Sequence, residues 1–220
     1  MFLVTAATDA EMEAFRRACG PSAAYTSLVT GVGPVETAVR LTAFLAGTPL
    51  PLAGVMNFGV AGAYILADRD NAALLDICLA EREVLGDLGI CDGEEVKQLR
   101  GGAFEILDTF DLDTGLLHQA ESTLAAASIS YKRGVFTTVS CVSGTSKRGM
   151  MLARQHQALC ENMEGAAAAR ACRQFGLPLL ELRCISNLVE DRNLQNWQLH
   201  KACVRCGEVA ALVVKGWRYG

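Results

Sequence analysis

Gly165–Ala169 is a run of five residues with almost no side-chain bulk. A helix built on such a run can lie closely against a flat surface, and the chain supplies that surface a few residues later. From Cys160 to Asp191 the stretch CENMEGAAAARACRQFGLPLLELRCISNLVED reads as a helix entered through Asn162-Met163-Glu164, a turn at Gly176-Leu177-Pro178, and a buried strand from Leu179 to Ile185. The strand stops at Ser186-Asn187. Glu164 and Asn187 therefore stand at the edges of otherwise apolar elements, and in an open α/β sheet the strand ends and adjoining loops are where ligands bind. Packing accounts for the alanines but not for these two polar residues.

The same alternation runs through the rest of the chain. Phe2–Ala7 suits a buried strand, and Thr8 opens a helix with Met12, Phe15 and Cys19 on one side. Tyr25–Thr30 is a second strand ending in Gly31-Val32-Gly33-Pro34. Pro34 fits the first position of a helix, where a missing N–H costs nothing, and that helix extends to about Ala46. Leu52–Phe58 is a continuous apolar strand that opens into Gly59-Val60-Ala61-Gly62-Ala63-Tyr64. Asp76–Glu83, Ala103–Leu107 and Tyr131–Val142 read as further strands. Helices are expected over Thr114–Ala127, from about Lys147 to His156, and from about Leu194 to Trp217. Residues 91–102 are polar and glycine-bearing, the pattern of a mobile surface loop. Strands alternating with helices predict an α/β fold on a mostly parallel or mixed sheet. With no repeat or linker, the 220 residues are expected to form one domain over 1–220.

Composition narrows the partners. A chain 51% hydrophobic and 20% charged builds a well-buried core. The net charge of −4 argues against nucleic acid or an anionic membrane as the main partner. No apolar run reaches the roughly 20 residues of a spanning helix. Asp9 and Glu11 interrupt the first apolar run and no basic segment precedes it, so no signal peptide is expected and the cytoplasm is the default. The nine cysteines are odd in number and scattered. Cys78, Cys141 and Cys184 fall inside apolar elements, where a free thiol acts as a small hydrophobe. Cys203 and Cys206 form a lone CxxC, and His118, His156 and His200 show no metal spacing with it. A zinc or redox protein is thus the remotest reading, and neither metal nor organic cofactor is expected.

Each polar candidate also has a structural explanation. Thr8-Asp9-Ala10-Glu11 has the spacing of a capping box, in which Glu11 bonds back to the cap N–H. Glu164 can be a solvated acid favoured by the helix macrodipole, and Asn187 a turn former after a strand. The glycine turns Gly31-Val32-Gly33 and Gly59-Val60-Ala61-Gly62 either bring backbone N–H groups to a ligand or serve only strand-to-helix geometry. Neither matches a dinucleotide or P-loop motif. What favours function is the combination, since Glu11, Gly62, Glu164 and Asn187 all fall at strand ends on one side of the sheet.

That combination resembles the nucleosidase branch of the nucleoside phosphorylase/hydrolase superfamily. The resemblance spans nearly the whole chain through TDAEME, TGVGPVETA, NFGVAGAY, ENMEGAA and RCISN, of which ENMEGAA is the most specific. Within the superfamily GVAGAY, TVSCVSGT and ISNLVEDRNLQNW are most similar to the futalosine hydrolases. The resemblance implies a three-layer sandwich, purine nucleoside phosphorylase-like, with a central mixed, mostly parallel sheet flanked by helices. It also implies a homo-oligomer, commonly a dimer, and hydrolysis of a small nucleoside through a ribosyl cation-like transition state.

In that mechanism Glu164 holds the ribose hydroxyls, Met163 packs on the sugar and Glu11 deprotonates the attacking water. Gly59, Val60, Ala61 and Gly62 line the sugar and base pocket, and Asn187 reads the base. Adenine-specific members of the family carry Asp at that place. An amide donates to O6 and N7 of a 6-oxopurine such as hypoxanthine, whereas adenine opposes it with an amino group. The arginine-bearing phosphate loop of the hexameric phosphorylases is not found, and Val60 stands where a hydroxyl often contacts phosphate, so water is the expected nucleophile. Ser143-Gly144-Thr145 departs from the SGD wording common in nucleosidases, which leaves its base contacts unassigned. Arg192 and Trp197 are candidates for the acidic, aromatic far end of futalosine, with surface packing as the alternative. The rival readings are a nucleosidase for methylthioadenosine, S-adenosylhomocysteine or aminodeoxyfutalosine, an inosine-type phosphorylase, and a purine-nucleoside-binding protein without catalysis.

Overall fold

The computed structural model describes residues 1–22, 24–49, 51–92, 95–99 and 106–217. Strands β1 (Phe2–Ala6), β2 (Tyr25–Val29), β3 (Gly54–Ala63), β4 (Ile77–Leu85), β7 (Thr109–Asp111), β8 (Tyr131–Thr138), β9 (Ala158–Asn162) and β10 (Leu179–Leu188) form one mixed sheet. Its order is β10-β4-β8-β9-β3-β1-β2, with β7 on β4, and β3 also pairs with β10. The strands β3, β10, β4, β8 and β9 therefore close on themselves into a ring, from which β1 and β2 extend. Within it β10–β3, β4–β8 and β8–β9 are parallel, whereas β10–β4 and β3–β9 are antiparallel. The α/β class and the mixed sheet flanked by helices are as the sequence predicts. The closure into a ring is an addition to the expected sandwich.

Helices cover both faces. Helices α1 (Asp9–Cys19), α3 (Thr114–Ala126) and α6 (Leu199–Gly216) pack Met12, Phe15, Leu116, Leu117 and Val213 on Phe2, Val4, Met56, Phe58 and Leu182. On the opposite face α2 (Pro34–Gly47) and α5 (Gly165–Phe175) pack Leu41, Leu45 and the alanines 166, 168, 169 and 171 on Leu3, Val55 and Leu179. Helix α4 (Ser146–His156) adds Leu152 and Ala153 to a smaller cluster with Tyr64 and Val189.

Close approach also governs the contact between α1 and α6. A Cβ on Gly207 would lie 2.6 Å from the backbone nitrogen of Phe15 and 2.7 Å from Cβ of Ala14. These are rigid neighbours, so Gly207→Ala is expected to push the helices apart at a cost of about 1–3 kcal/mol. Chemical denaturation would read this as a lower midpoint with an unchanged slope.

Several elements depart from expectation. The GVAGA segment is not a turn, because β3 runs without a break to Ala63, and Val60 and Ala61 pair with Cys184 and Ile185 of β10. Nor does β10 stop before Ser186-Asn187. It continues to Leu188 through a bulge between Ile185 and Asn187. The helix expected to begin at Asn162 begins at Gly165, because the preceding five residues form the buried strand β9. Residues 91–102 are not wholly loop. Gly89–Asp92 and Glu95–Gln98 pair as the antiparallel strands β5 and β6, and residues 93, 94 and 100–102 lie outside the described residues. Of the strand expected over Ala103–Leu107, residues 103–105 also lie outside the described residues, and the strand that pairs with β4 is Thr109–Asp111. The expected strand over residues 131–142 ends at Thr138, and the last helix begins at Leu199 after a short 3-10 turn at Leu194–Asn196. All nine cysteines are free, but Cys141 is exposed rather than a core residue because the strand ends before it.

Candidate active site

The ends of β1, β3, β9 and β10 and the turn after β2 converge on a cavity of about 200 Å³. Its walls include Glu11, Val60, Ala61, Gly62, Met163, Glu164, Asn187, Arg192 and Trp197. Nine of the ten residues proposed from sequence thus share one cavity. Gly59 does not line it. A Cβ there would stand 2.7 Å from Oε1 of Glu11 and 2.8 Å from a terminal guanidinium nitrogen of Arg183, so the bare glycine lets those two groups lie over the strand.

Glu11 caps α1 and also lines the cavity. Thr8 caps α1, its hydroxyl accepting from the Glu11 N–H at 3.3 Å, while Oε2 of Glu11 accepts from the Thr8 N–H at 3.0 Å and the Thr8 hydroxyl at 2.7 Å. The box is complete. Oε1 points the other way and accepts from the Val60 N–H at 3.1 Å. The capping box therefore fixes one edge of a carboxylate that still faces the cavity.

Glu164 is also held at both ends. It is the N-cap residue of α5, yet its side chain makes no capping bond. Oε1 accepts from the Gly33 N–H at 3.1 Å, and Oε2 accepts from Arg183 at 3.1 Å. Gly33 adopts φ 95°, a conformation open to glycine at little cost. The turn after β2 thereby aims a backbone donor at a carboxylate 131 residues away in sequence. Each oxygen keeps an acceptor site for a further donor.

Asn187 follows the bulge in β10. Its Oδ1 accepts from the Ser186 hydroxyl at 2.9 Å, a hydroxyl that also reaches the Ala61 carbonyl at 3.2 Å. Nδ2 donates to the Leu188 carbonyl at 3.4 Å, which leaves its second N–H for a ligand. Bulges often re-aim side chains beside functional sites, and here one delivers the base-reading candidate. Arg192 stacks on Trp197, its guanidinium carbon 5.0 Å from the ring centroid, and both line the cavity.

Three groups in the site escaped the sequence reading. Arg183 is 1% exposed and donates to Glu181 at 2.9 Å, Asn57 at 2.7 Å, Glu164 at 3.1 Å and the Val60 carbonyl at 3.3 Å. Burial works against its charge, but Glu181, Glu164 and Glu11 outweigh that and push its pKa up, so it stays a cation. Asn162 turns the chain into α5 by accepting from the Glu164 and Gly165 N–H groups at 2.9 and 2.8 Å. Glu161, on β9 and 5% exposed, accepts from the N–H and hydroxyl of Ser143 at 2.8 and 2.6 Å and from Tyr64 at 3.1 Å. Desolvation raises its pKa, opposed by those hydrogen bonds. A Cβ on Gly62 would lie 3.0 Å from Nδ2 of Asn187 and 3.6 Å from Cγ of Glu161, so these two side chains flank one point of the wall. The sequence signal for Arg183 was present: Glu181 and Arg183 alternate on one face of an otherwise apolar strand.

Among the described residues no group of three or more His, Cys, Asp or Glu side chains is placed to hold a metal ion, and no helix is long and apolar enough to cross a membrane. A profile of the phosphorylase superfamily matches residues 22–216. The futalosine hydrolase of Thermus thermophilus is 35% identical over 181 residues, which cover 81% of this chain and 76% of that protein. The solved structure of futalosine hydrolase from Helicobacter pylori strain 26695 superposes with a TM-score of 0.82 at 19% identity, covering 97% of each chain. A structure of the 5'-methylthioadenosine/S-adenosylhomocysteine nucleosidase from Helicobacter pylori gives the same score, identity and coverage, so shape alone does not choose between the two. The sequence match does, and the chain belongs to the phosphorylase superfamily, in the same family as the Thermus futalosine hydrolase.

Proposed function

We propose that the protein hydrolyses the N-glycosidic bond of futalosine, releasing hypoxanthine and dehypoxanthine futalosine for menaquinone biosynthesis. The observation that carries this reading is Asn187, whose carbonyl accepts from Ser186 and whose Nδ2 keeps one N–H, beyond its bond to the Leu188 carbonyl, to donate into a cavity that also holds Glu11 and Glu164. A donor there suits O6 and N7 of hypoxanthine and opposes the amino group of adenine. Glu161, on the other side of Gly62, is an acceptor of the kind the N1–H of a 6-oxopurine needs.

The remaining roles are those the family resemblance implies, and the geometry supports them. Glu164 accepts from the ribose hydroxyls with the oxygen lone pairs left over by Gly33 and Arg183, and it places negative charge near the developing cation. Met163 packs on the sugar. Glu11 takes the proton of the attacking water, its orientation fixed by Thr8 and the Val60 N–H. Val60, Ala61 and Gly62 form the wall beneath, and Arg192 with Trp197 meets the carboxylate and aromatic ring at the far end of futalosine. Gly59 acts indirectly, as the space in which Glu11 and Arg183 sit.

Phosphate is a poor fit as nucleophile. Three carboxyl side chains, Glu11, Glu161 and Glu164, line the cavity, and Arg183 is committed to Glu181 and Glu164. An incoming dianion would meet their repulsion. The whole chain acts as one domain in this reading, in the cytoplasm and as a homodimer. The stripe of exposed Val32, Val35 and Val39 beside the cavity, 55, 72 and 62% exposed, supports a second copy there.

The test is base release from futalosine, inosine, methylthioadenosine and aminodeoxyfutalosine, with and without phosphate. Hypoxanthine released from futalosine at a rate indifferent to phosphate is the expected result. Adenine from the amino substrates at a matching rate would sink the role of Asn187. Phosphate-dependent turnover would make the protein a phosphorylase, and binding without base release would make it a binding protein.

A further inference from the structure

Two carboxyl groups lie behind the cavity wall, and the proposed reaction makes no direct use of either. Glu83 on β4 and Glu181 on β10 are both 0% exposed. They meet over Gly165, where a Cβ would stand 2.1 Å from Oε1 of Glu83 and 2.4 and 2.5 Å from the two oxygens of Glu181. The first residue of α5 is bare because these carboxyls fill the space of its side chain.

Their hydrogen bonds are unequal. Glu83 accepts from the Asn162 amide at 2.5 Å and the Thr138 hydroxyl at 2.8 Å, both neutral donors. Glu181 accepts from the Arg183 guanidinium at 2.9 Å through Oε1. Its Oε2 is buried and has no other protein donor. Oε1 of Glu83 and both oxygens of Glu181 crowd one buried point, where two like charges are disfavoured and a proton between them joins the pair. Arg183 fixes where that proton resides, because its charge favours the ionised form of Glu181. The orphaned Oε2 then receives the donor it lacks from Glu83.

We propose that Glu83 is a neutral acid donating its proton to Glu181, and that this acid–carboxylate pair is the positioning device for Arg183 and, through it, for Glu164 and the backbone of Val60. The surroundings agree. The titratable groups that interact with Glu83 are Glu181 on β10 and Cys160 on β9, while β8 brings the Thr138 hydroxyl and Arg183 bonds Glu181. Burial pushes both carboxyls up, and contact with Arg183 opposes that at Glu181 alone. With Glu83 neutral, Arg183 faces Glu181, Glu164 and Glu11. Ionising Glu83 would set a fourth negative charge against one cation and leave its guanidinium with competing orientations. A protonated partner keeps the charge at one on the pair and the planar fork of Arg183 in one place.

Infrared spectroscopy of the intact protein tests this without any substrate, so failure of the futalosine reading would not touch it. The C=O band of a protonated carboxylic acid is expected at neutral pH and lost in Glu83→Gln. That variant keeps neutrality and an N–H for Oε2 of Glu181, so its kcat/KM should stay within about threefold of the wild type. Glu83→Ala, which leaves the same acceptor unpaired, should lose at least about tenfold. Any loss of rate that the wild type shows at alkaline pH through Glu83 should be absent in Glu83→Gln. A wild-type spectrum without a protonated-carboxyl band, or a band undiminished in Glu83→Gln, overturns the proposal. So does a Glu83→Gln enzyme as impaired as Glu83→Ala. The wild-type spectrum keeps the idea open to refutation even if Glu83→Gln does not fold.

Discussion

Glu11→Gln is expected to lower kcat for futalosine hydrolysis by about 10²–10⁴-fold, the range lost when a positioned general base is removed. The amide cannot take a proton from water, yet it is nearly the same size and sits in the same pocket wall. The structural share of Glu11 is separable from this. Its carboxylate accepts from the Thr8 N–H, the Thr8 hydroxyl and the Val60 N–H. A single amide oxygen cannot serve them all, so Glu11→Gln should also cost about 1 kcal/mol of stability. Thr8→Ala removes the cap from the other side at a similar cost of about 1 kcal/mol and leaves the carboxylate in place. The comparison decides between the two roles. If Glu11 only caps α1, both variants lose stability alike and neither loses much rate. If it is the base, Thr8→Ala turns over futalosine within about tenfold of the wild type while Glu11→Gln does not. Thermal unfolding beside steady-state rates gives both readings from the same preparations.

Glu11, Glu164 and Asn187 were legible because each is a polar residue that terminates an apolar element, and such edges gather at one end of an α/β sheet. Glu11 was also legible as a cap, and the spacing alone could not show that one carboxylate serves both purposes. Arg183 was missed because a buried strand was read as apolar throughout, although Glu181 and Arg183 alternate within it. Strand β9 was missed because five residues between two helices carry no period of their own, and Glu161 and Asn162 look like the polar start of a helix. What makes it a strand is tertiary: it fills the gap between β8 and β3 and closes the ring. The bulge at Ser186 is likewise invisible locally, since it exists only in the register of β10 against β3. Residues 91–102 were read as loop from their polarity and glycines, and the pairing of Gly89–Asp92 with Glu95–Gln98 shows only in the register.

The base preference of the enzyme should be the property that one substitution can most visibly change. Asn187→Asp exchanges the NH₂ that faces the cavity for a carboxylate oxygen, while Ser186 can still donate to the other oxygen. For hypoxanthine this replaces a donor to O6 and N7 by a negative charge set against two acceptors. A buried polar group left facing the wrong partner costs several orders of magnitude in discrimination, and a loss of about 10²–10⁴-fold in kcat/KM for futalosine is expected. For a 6-amino substrate the same change converts an opposed pair of donors into a donor and an acceptor, and an acid protonated in the site can also donate to N7. Release of adenine from aminodeoxyfutalosine should therefore rise as hypoxanthine release falls. The gain will be the smaller effect, because Glu161 remains an acceptor on the far side of Gly62 and N1 of adenine offers it no proton. Glu161 is itself inclined toward protonation by its burial, so any adenine activity of Asn187→Asp should be greatest on the acid side, where a protonated Glu161 can donate to N1. Parallel measurements of the two substrates across pH would show this as a crossing of the two rates. An Asn187→Asp enzyme that keeps its preference for futalosine at every pH would mean that the base is read elsewhere in the cavity.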